Sequence, residues 1–174
     1  MGGKSNYLVA YQSRVWQLRA TKRLRMTDRI EKTIELSAPI ERVWHAVTDH
    51  EQFGTWFRVA LDGPFAMGEV TTGRITFEGY EHMKWRSTVE RMDEPHLFAL
   101  RWPHPSDPTD DHELATAPTT LVEFHLEKIP SGTRLTIIES GFDSIPADRR
   151  ATALRENEEG WSLQARHIAV HVQA

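Results

Sequence analysis

The chain of 174 residues contains no cysteine, and this absence excludes several kinds of chemistry. Disulfides, thiolate nucleophiles, iron–sulfur clusters and zinc sites with cysteine ligands all need the missing thiol. The sequence also has no apolar run that approaches the roughly 20 residues of a membrane-spanning helix. A chain without thiols is compatible with a reducing cytosol without showing the compartment. We expect a cytoplasmic protein without stable membrane insertion.

The sequence motifs of several common enzyme classes are absent as well. There is no G-x-S-x-G elbow, no phosphate-binding glycine loop, no dinucleotide fingerprint and no H-E-x-x-H pair. Nucleophilic catalysis would need a serine, and no serine has a recognisable base spaced beside it. We therefore expect no cofactor and assign no catalytic residue, which leaves open whether the protein is an enzyme.

The nine histidines do not form a convincing metal site. His167 and His171 have the four-residue spacing of ligands on a helix, but they fall outside the apolar stripe of their segment. A solvated helix face explains them better. His104 and His112 lie in an acidic stretch without a regular ligand register, so we expect no metal.

Charge is distributed unevenly along the chain. Residues 1–27 contain six lysines and arginines and no acid, a charge of +6, and since the whole chain carries −4, residues 28–174 carry −10. A body this acidic repels phosphate backbones, so we expect no binding of nucleic acid.

Two segments are predicted: a basic N-terminal extension over residues 1–27 and a single domain over residues 28–174. The extension has three open interpretations: a flexible terminus, a gene start placed too early before Met26, or a targeting or membrane-surface segment. For the domain, 39% hydrophobic and 26% charged residues predict a packed globule. Six tryptophans and seven phenylalanines suit a core or a cavity built from large flat side chains.

The domain is predicted to begin with a strand and two short helices. Apolar residues alternate with polar ones over Ile30–Leu36, which indicates a strand with one wet face. Pro39 is typical of a first helical turn and starts a short helix. Asp49 and Gln52 resemble a capping box for a second helix, which Gly54 can end.

Turn residues then separate a series of predicted strands, followed by a long helix. The strands are Gly73–Phe77, His82–Met92, Leu97–Trp102, Thr120–Lys128 and Thr133–Ser140. Short turns between consecutive strands indicate an antiparallel meander, and residues 103–118 are expected to form a long acidic loop. The class is therefore α+β.

The final helix is predicted to start with Ser144 as its cap and Pro146 in its first turn. Its inward stripe recurs at helical spacing and consists of Leu154, Glu158, Trp161, Ala165, Ile168 and Val172. Gly160 interrupts this helix at a cost of roughly 1 kcal/mol relative to alanine, which indicates a bend or a close approach.

A family resemblance extends over roughly residues 28–174. The motifs that carry it are Ala38-Pro39-Ile40-Glu41-Arg42-Val43-Trp44, Thr48-Asp49, Trp56-Phe57, Phe65-x-x-Gly68, Val89-x-x-Met92, Pro95, Leu100-x-Trp102, Thr120-x-Val122-x-Phe124-x-Leu126, Gly132-Thr133-x-Leu135, Ser140-Gly141-Phe142 and Gly160-Trp161. In order and spacing they resemble the SRPBCC or START-like superfamily, in the branch related to the activator of heat-shock protein 90 ATPase. The resemblance implies a helix-grip fold, in which a curved antiparallel sheet wraps around the C-terminal helix and leaves a deep cavity between them.

Aromatic residues are the main candidates for the wall of that cavity. The predicted ligand-binding set is Trp56, Phe57, Phe77, Trp85, Trp102, Phe124, Glu139, Phe142 and Trp161. Plain core packing is the alternative for each tryptophan, and the strand register leaves the face of Trp85 open.

Glu139 is the most informative member of the set, because it shares a strand face with Leu135 and Ile137. A carboxylate in an apolar cavity is expected to have a raised pKa and to act as an acid, a base or a ligand anchor. The alternatives are a pair with a nearby arginine (Arg74, Arg86 or Arg101) or exposure at the strand end. Glu158 is a second candidate to face the cavity.

These observations predict cofactor-free binding of a hydrophobic or aromatic small molecule or a lipid. One alternative is an enzyme of the cyclase, hydratase or isomerase kind that uses Glu139 as its acid–base group. Another is a chaperone-linked interaction protein, for which the sequence itself offers no support.

Overall fold

A computed structural model describes residues 28–173, in which helices pack on one face of a seven-stranded antiparallel sheet. The predicted extension over residues 1–27 lies outside the described residues. The elements are β1 (Arg29–Leu36), α1 (Ile40–Thr48), α2 (His50–Phe57), β2 (Val59–Leu61), β3 (Val70–Ile75), β4 (Lys84–Asp93), β5 (Leu97–Pro103), α3 (Asp111–Thr116), β6 (Thr119–Ile129), β7 (Gly132–Ser140), a 3₁₀ turn (Phe142–Ser144) and α4 (Ala147–Gln173).

The strand order is β1-β7-β6-β5-β4-β3-β2, so the sheet is a meander whose first strand joins the far edge beside β7. This arrangement confirms the α+β class and the helix-grip architecture. The edge strand β2 was not predicted, because three residues are too few to show a period-2 pattern. Strand β3 begins at Val70 and ends at Ile75, two residues before the predicted end at Phe77, because a turn closes from Tyr80 N–H to the Phe77 carbonyl.

The two short helices form as predicted, except for the end of α2. The Asp49 side chain accepts hydrogen bonds from the backbone N–H groups of Glu51 and Gln52, which caps α2. Gly54 does not end this helix. It lies inside α2 at a close approach, where a β-carbon would be 2.5 Å from the Val59 carbonyl oxygen, and Arg58 in a left-handed conformation (φ 69°) ends the helix instead.

The acidic stretch over residues 103–118 is not only a loop, because it contains α3. Asp110 caps this helix by accepting hydrogen bonds from the N–H groups of His112 and Glu113. The Glu113 carboxylate in turn accepts from the N–H groups of Ser106 and Asp107. The side chains of Asp110 and Glu113 thus stabilise the backbone of this stretch by hydrogen bonds.

The C-terminal helix α4 buries the predicted residues Trp161, Ala165, Ile168 and Val172. Its start differs from the prediction, because Ser144 belongs to the preceding 3₁₀ turn and donates its hydroxyl to the carbonyls of Thr119 and Gly141.

Glu158 does not face inward on α4. Its side chain is 59% exposed and pairs with Lys32 of β1. The expectation of a cavity-facing Glu158 is therefore wrong: position 157, four residues before Trp161, lies on the inner side instead.

No helix among residues 28–173 is long and apolar enough to cross a membrane.

Candidate ligand-binding site

Glu139 lies on β7 with its side chain on the inner face of the sheet, as the alternation predicts. It is 0% exposed and lies among the apolar residues of the core. Neighbouring strands place Ile30 of β1 and Val122 of β6 opposite it in register. A carboxylate in such surroundings needs hydrogen-bond donors, because an unpaired buried charge costs several kcal/mol.

The sheet supplies two of these donors. The Trp102 indole Nε1 of β5 lies 2.8 Å from Glu139 Oε1, and the Thr120 hydroxyl of β6 lies 2.6 Å from the same oxygen. Trp102 and Thr120 are direct cross-strand partners, and Thr120 is two residues from Val122, the partner of Glu139. Diagonal neighbours on one sheet face are within reach of such side chains.

Helix α4 supplies the other strong donors. The Trp161 indole Nε1 lies 2.7 Å from Glu139 Oε2, and Asn157 Nδ2 lies 2.9 and 3.0 Å from the two oxygens. His104 completes the surroundings, with Nε2 2.9 Å from the Thr120 hydroxyl and 3.5 Å from Glu139 Oε1. The carboxylate thus ties the helix to the sheet at one point.

This environment reverses the expected pKa shift of Glu139. Burial alone would raise the pKa of the carboxyl, but the hydrogen bonds from His104, Thr120, Trp161 and Trp102 outweigh it and hold the pKa below its ordinary value. The expectation of a raised pKa is therefore wrong. The alternative, a pair with Arg74, Arg86 or Arg101, is not formed either; Arg101 pairs with Glu90 instead.

Three cavities meet around Phe57, at the end of α2. The first, which we call the inner lobe, measures about 180 Å³ and is lined by Phe57, Trp102, Glu156, Asn157, Gly160, Trp161 and Gln164. The second, the groove, measures about 690 Å³ and is lined by Phe57, Ile75, Phe77, Tyr80, Met83, Glu156, Glu159, Gly160, Leu163 and Gln164.

The third cavity, the side lobe, measures about 330 Å³ and extends toward β4 and the segment after β5. Its walls include Trp85, Trp102, His104 and Asn157. Phe57 and Glu156 line all three cavities, so the lobes and the groove are adjacent parts of one opening between the sheet and α4.

Aromatic rings in contact form the inner wall of this opening. Trp102 and Trp161 stack with their centroids 5.4 Å apart and their planes 17° apart. Phe57 approaches both indoles at a steep angle, with centroids 5.9 and 6.0 Å away. Trp85 extends the wall beside Trp102 at 5.5 Å. Such rings form a flat apolar surface that suits an aromatic or aliphatic ligand.

Five of the nine predicted ligand-binding residues therefore lie on the cavity walls: Phe57, Phe77, Trp85, Trp102 and Trp161. The register question for Trp85 is settled, since this side chain is 6% exposed and points inward.

The other four predicted residues lie behind the walls. Trp56 is packed in the core, where its indole donates to the Ala46 carbonyl, and Phe124 and Phe142 are fully buried. Glu139 is covered by its own donors. The prediction that these four residues line the cavity is therefore wrong: they lie behind the residues that do.

Sequence reasoning did not assign three residues of the Glu139 network to the site: His104, Thr120 and Asn157. Asn157 was detectable, because it is four residues before Trp161 and therefore on the same helix face. Thr120 was detectable as the cross-strand partner of Trp102 once the register was known. His104 follows the last residue of β5, and no local pattern marks it.

A second, polar cleft of about 390 Å³ adjoins the side lobe, with which it shares Lys84, Trp85, Arg86 and Leu114. Its other walls include Asp62, Arg74 and Asp111, and Lys84 pairs with Asp111 at 2.8 Å. In the part of the chain that the structure describes, no three histidine or acidic side chains converge as metal ligands do.

A curved antiparallel sheet that grips a long C-terminal helix, with a cavity between them, defines a helix-grip protein of the SRPBCC type. The family model "Activator of Hsp90 ATPase homolog 1-like protein" matches residues 37–173, and the chain belongs to this family. The family resemblance seen in the sequence is thereby confirmed. No curated protein matches the chain significantly.

Solved structures share the fold at low sequence identity. Protein MLL2253 from Mesorhizobium loti is 20% identical with a TM-score of 0.66, over 83% of this chain and 96% of its own. Protein CV1439 from Chromobacterium violaceum is 20% identical with a TM-score of 0.64, over 84% and 99%.

DynU16, from the dynemicin biosynthetic locus, is 21% identical with a TM-score of 0.65 over 84% of this chain. The chain spans about half the length of DynU16 (48%). At these identities the likeness establishes the fold, which is compatible with ligand binding, and nothing more specific.

Proposed function

We propose that the protein binds a hydrophobic or aromatic small molecule or a lipid, without a cofactor, in the opening formed by the inner lobe, the groove and the side lobe. The observation that carries the proposal is the aromatic wall of Phe57, Trp102 and Trp161 beside an open groove. A concave, mostly apolar site with a few fixed polar groups is what small-molecule sites generally require.

Gly160 supports the proposal because it leaves the entrance wide. It lies in the middle of α4, where it lines both the inner lobe and the groove, and a β-carbon built on it would meet nothing within 4 Å. Glycine in a helix interior costs about 1 kcal/mol relative to alanine. The close approach that the sequence suggested at this position is absent, and a side chain much larger than alanine here would project into the opening.

The role of Glu139 in this proposal is to position the wall. Its two oxygens accept hydrogen bonds from the indole N–H groups of Trp102 and Trp161. These bonds fix the orientation of the two rings that the ligand would contact. The lowered pKa leaves Glu139 with no proton to give, and burial beneath its own donors leaves neither oxygen free to reach a substrate as a base. The acid–base role of the enzyme alternative therefore finds no support in this geometry.

A titration with a neutral hydrophobic dye tests the proposal. Nile red should gain fluorescence with the wild-type protein in a saturable way, and its affinity can be compared between two substitutions of one residue. Gly160→Phe should fill the inner lobe and weaken binding at least about tenfold, the equivalent of 1.4 kcal/mol. Gly160→Ala should bind within about twofold of wild type, because a methyl group leaves the opening free.

Thermal unfolding of both variants controls for damage to the fold. Both substitutions remove the helix penalty of glycine, so neither should lower the midpoint. Equal dye affinity for Gly160→Phe and Gly160→Ala, with both proteins folded, would place binding elsewhere and contradict the proposal.

A further inference from the structure

We propose that the inner lobe binds the positively charged amine end of a ligand whose apolar part occupies the groove. The inference rests on the proposed function and assigns it a ligand class: an apolar molecule that carries a tertiary or quaternary ammonium group.

The first observation is the aromatic character of the inner lobe. Three of the seven residues that line this space of about 180 Å³ are aromatic: Phe57, Trp102 and Trp161. A cation above such a ring is attracted by the negative face of its π system, most strongly for tryptophan. A small, aromatic-walled lobe at the end of a wider apolar groove suits a compact ammonium group on an apolar body.

The second observation is the anion behind the indoles. Both Nε1–H groups of Trp102 and Trp161 donate to the fully buried carboxylate of Glu139, at 2.8 and 2.7 Å. A hydrogen bond to an anion polarises the indole and makes its ring more electron-rich, and the low dielectric of the interior screens the charge weakly. Both effects favour a cation at the indoles and disfavour an anion.

The negative charge of Glu139 is not neutralised by a strong cation. Within residues 28–173, no lysine or arginine forms an ion pair with it, and His104 is its sole ion-pair partner, at 3.5 Å. Its other partners are neutral donors: two indoles, a hydroxyl and an amide.

The third observation is a carboxylate on the lobe itself. Glu156 of α4 lines the inner lobe and is exposed to solvent. Across the described part of the chain, no lysine, arginine or histidine lines this lobe. The basic wall residues Lys84, Arg86 and His104 line the side lobe instead. The inner lobe is thus electronegative from both sides, with Glu139 behind the rings and Glu156 at the rim.

Three probes of similar shape separate charge from hydrophobicity: benzyltrimethylammonium, its neutral carbon isostere neopentylbenzene, and the anion phenylacetate. Binding is followed by NMR through the indole ¹H–¹⁵N resonances, with Trp102→Phe and Trp161→Phe spectra to assign the two relevant signals. We expect the cation to shift these two resonances and to bind at least roughly tenfold more tightly than the isostere at low salt, with no saturable binding of phenylacetate.

A matched pair of substitutions on α4 tests the contribution of the rim. Glu156→Gln should weaken the cation roughly threefold to tenfold and leave the isostere unchanged. Glu158→Gln removes the same charge from the same helix at a residue that lines none of the three cavities, and it should change cation affinity less than about twofold.

The outcomes distinguish this inference from the function on which it rests. If the isostere or phenylacetate binds as tightly as the cation, or if the two glutamate variants behave alike, the ammonium assignment is overturned. If none of the three probes binds while Nile red still does, the assignment is overturned and the proposed function stands. Loss of Nile red binding as well would overturn both.

Discussion

Replacing Glu139 by glutamine should cost far more stability than the exchange of one oxygen for an NH₂ group implies. The carboxylate accepts hydrogen bonds at both oxygens, from Trp102 and Thr120 at Oε1 and from Trp161 at Oε2. Glutamine offers one oxygen and one NH₂ group. Whichever way the amide is turned, its NH₂ faces a buried indole N–H that has lost its acceptor.

The magnitude follows from two contributions. Hydrogen bonds to a charged group contribute about 1.5–3 kcal/mol, and an unsatisfied buried donor costs about 1–3 kcal/mol. We expect Glu139→Gln to lose about 2–4 kcal/mol of unfolding free energy at pH 7. Urea denaturation followed by circular dichroism measures this value, and the m-value shows whether the native state stays compact.

Glu158→Gln is the matched control. It makes the same chemical change on a side chain that is 59% exposed and paired with Lys32 at the surface. Surface substitutions of this kind usually stay within about 0.5 kcal/mol. A Glu139→Gln variant as stable as the control would refute the reasoning that the carboxylate joins helix to sheet.

The pH dependence provides a second check with a defined sign. The folded-state pKa of Glu139 is lowered, so the unfolded chain takes up the proton first as pH falls. The stabilisation is complete above the unfolded value of about 4.3 and is lost as pH falls through the folded pKa. The stability difference between wild type and Glu139→Gln should therefore shrink below about pH 4. A difference that grows with acidity would contradict the lowered pKa.

Two further substitutions test the packing around the site. Trp161→Ala should lower the free energy of unfolding by about 3–5 kcal/mol in urea denaturation, because the indole is 2% exposed and hydrogen-bonded to Glu139. Trp161→Phe retains an aromatic ring at this position and should cost less. Equal costs for the two variants would contradict the packing role of the ring. Gly54→Ala should destabilise by about 1–3 kcal/mol, despite the better helix propensity of alanine, since its β-carbon would be 2.5 Å from the Val59 carbonyl oxygen. Gly63→Ala, with nothing within 4 Å of its β-carbon, should be nearly neutral in the same assay, and similar losses for both would contradict the close approach.

The fold was largely predictable because its signals are local. Alternation in β7 placed Glu139 on the inner face, and the helical spacing of Trp161, Ala165, Ile168 and Val172 identified the buried side of α4. The helix cap at Asp49 was visible for the same reason, since its partners are two and three residues away.

The site was less predictable because its decisive contacts join distant segments. The direction of the Glu139 pKa shift depends on donors from β5, β6, α4 and the segment after β5, which no periodicity connects. Gly54 was misassigned because its neighbour Val59 meets it only after the chain reverses at Arg58. Asn157 and Glu158 lie four and three residues before Trp161, so helical spacing makes both candidates for the inner side, and the packed helix shows that Asn157 is the one that turns toward Glu139.

Native mass spectrometry of freshly purified protein can detect a ligand that the opening retains through purification. We predict that the wild-type protein and Gly160→Ala carry the same small-molecule adduct, retained under gentle ionisation and released on activation. Gly160→Phe, folded and purified in parallel, should appear without it. An adduct of equal occupancy in all three proteins would contradict the claim that the opening beside Trp102 and Trp161 is the binding site.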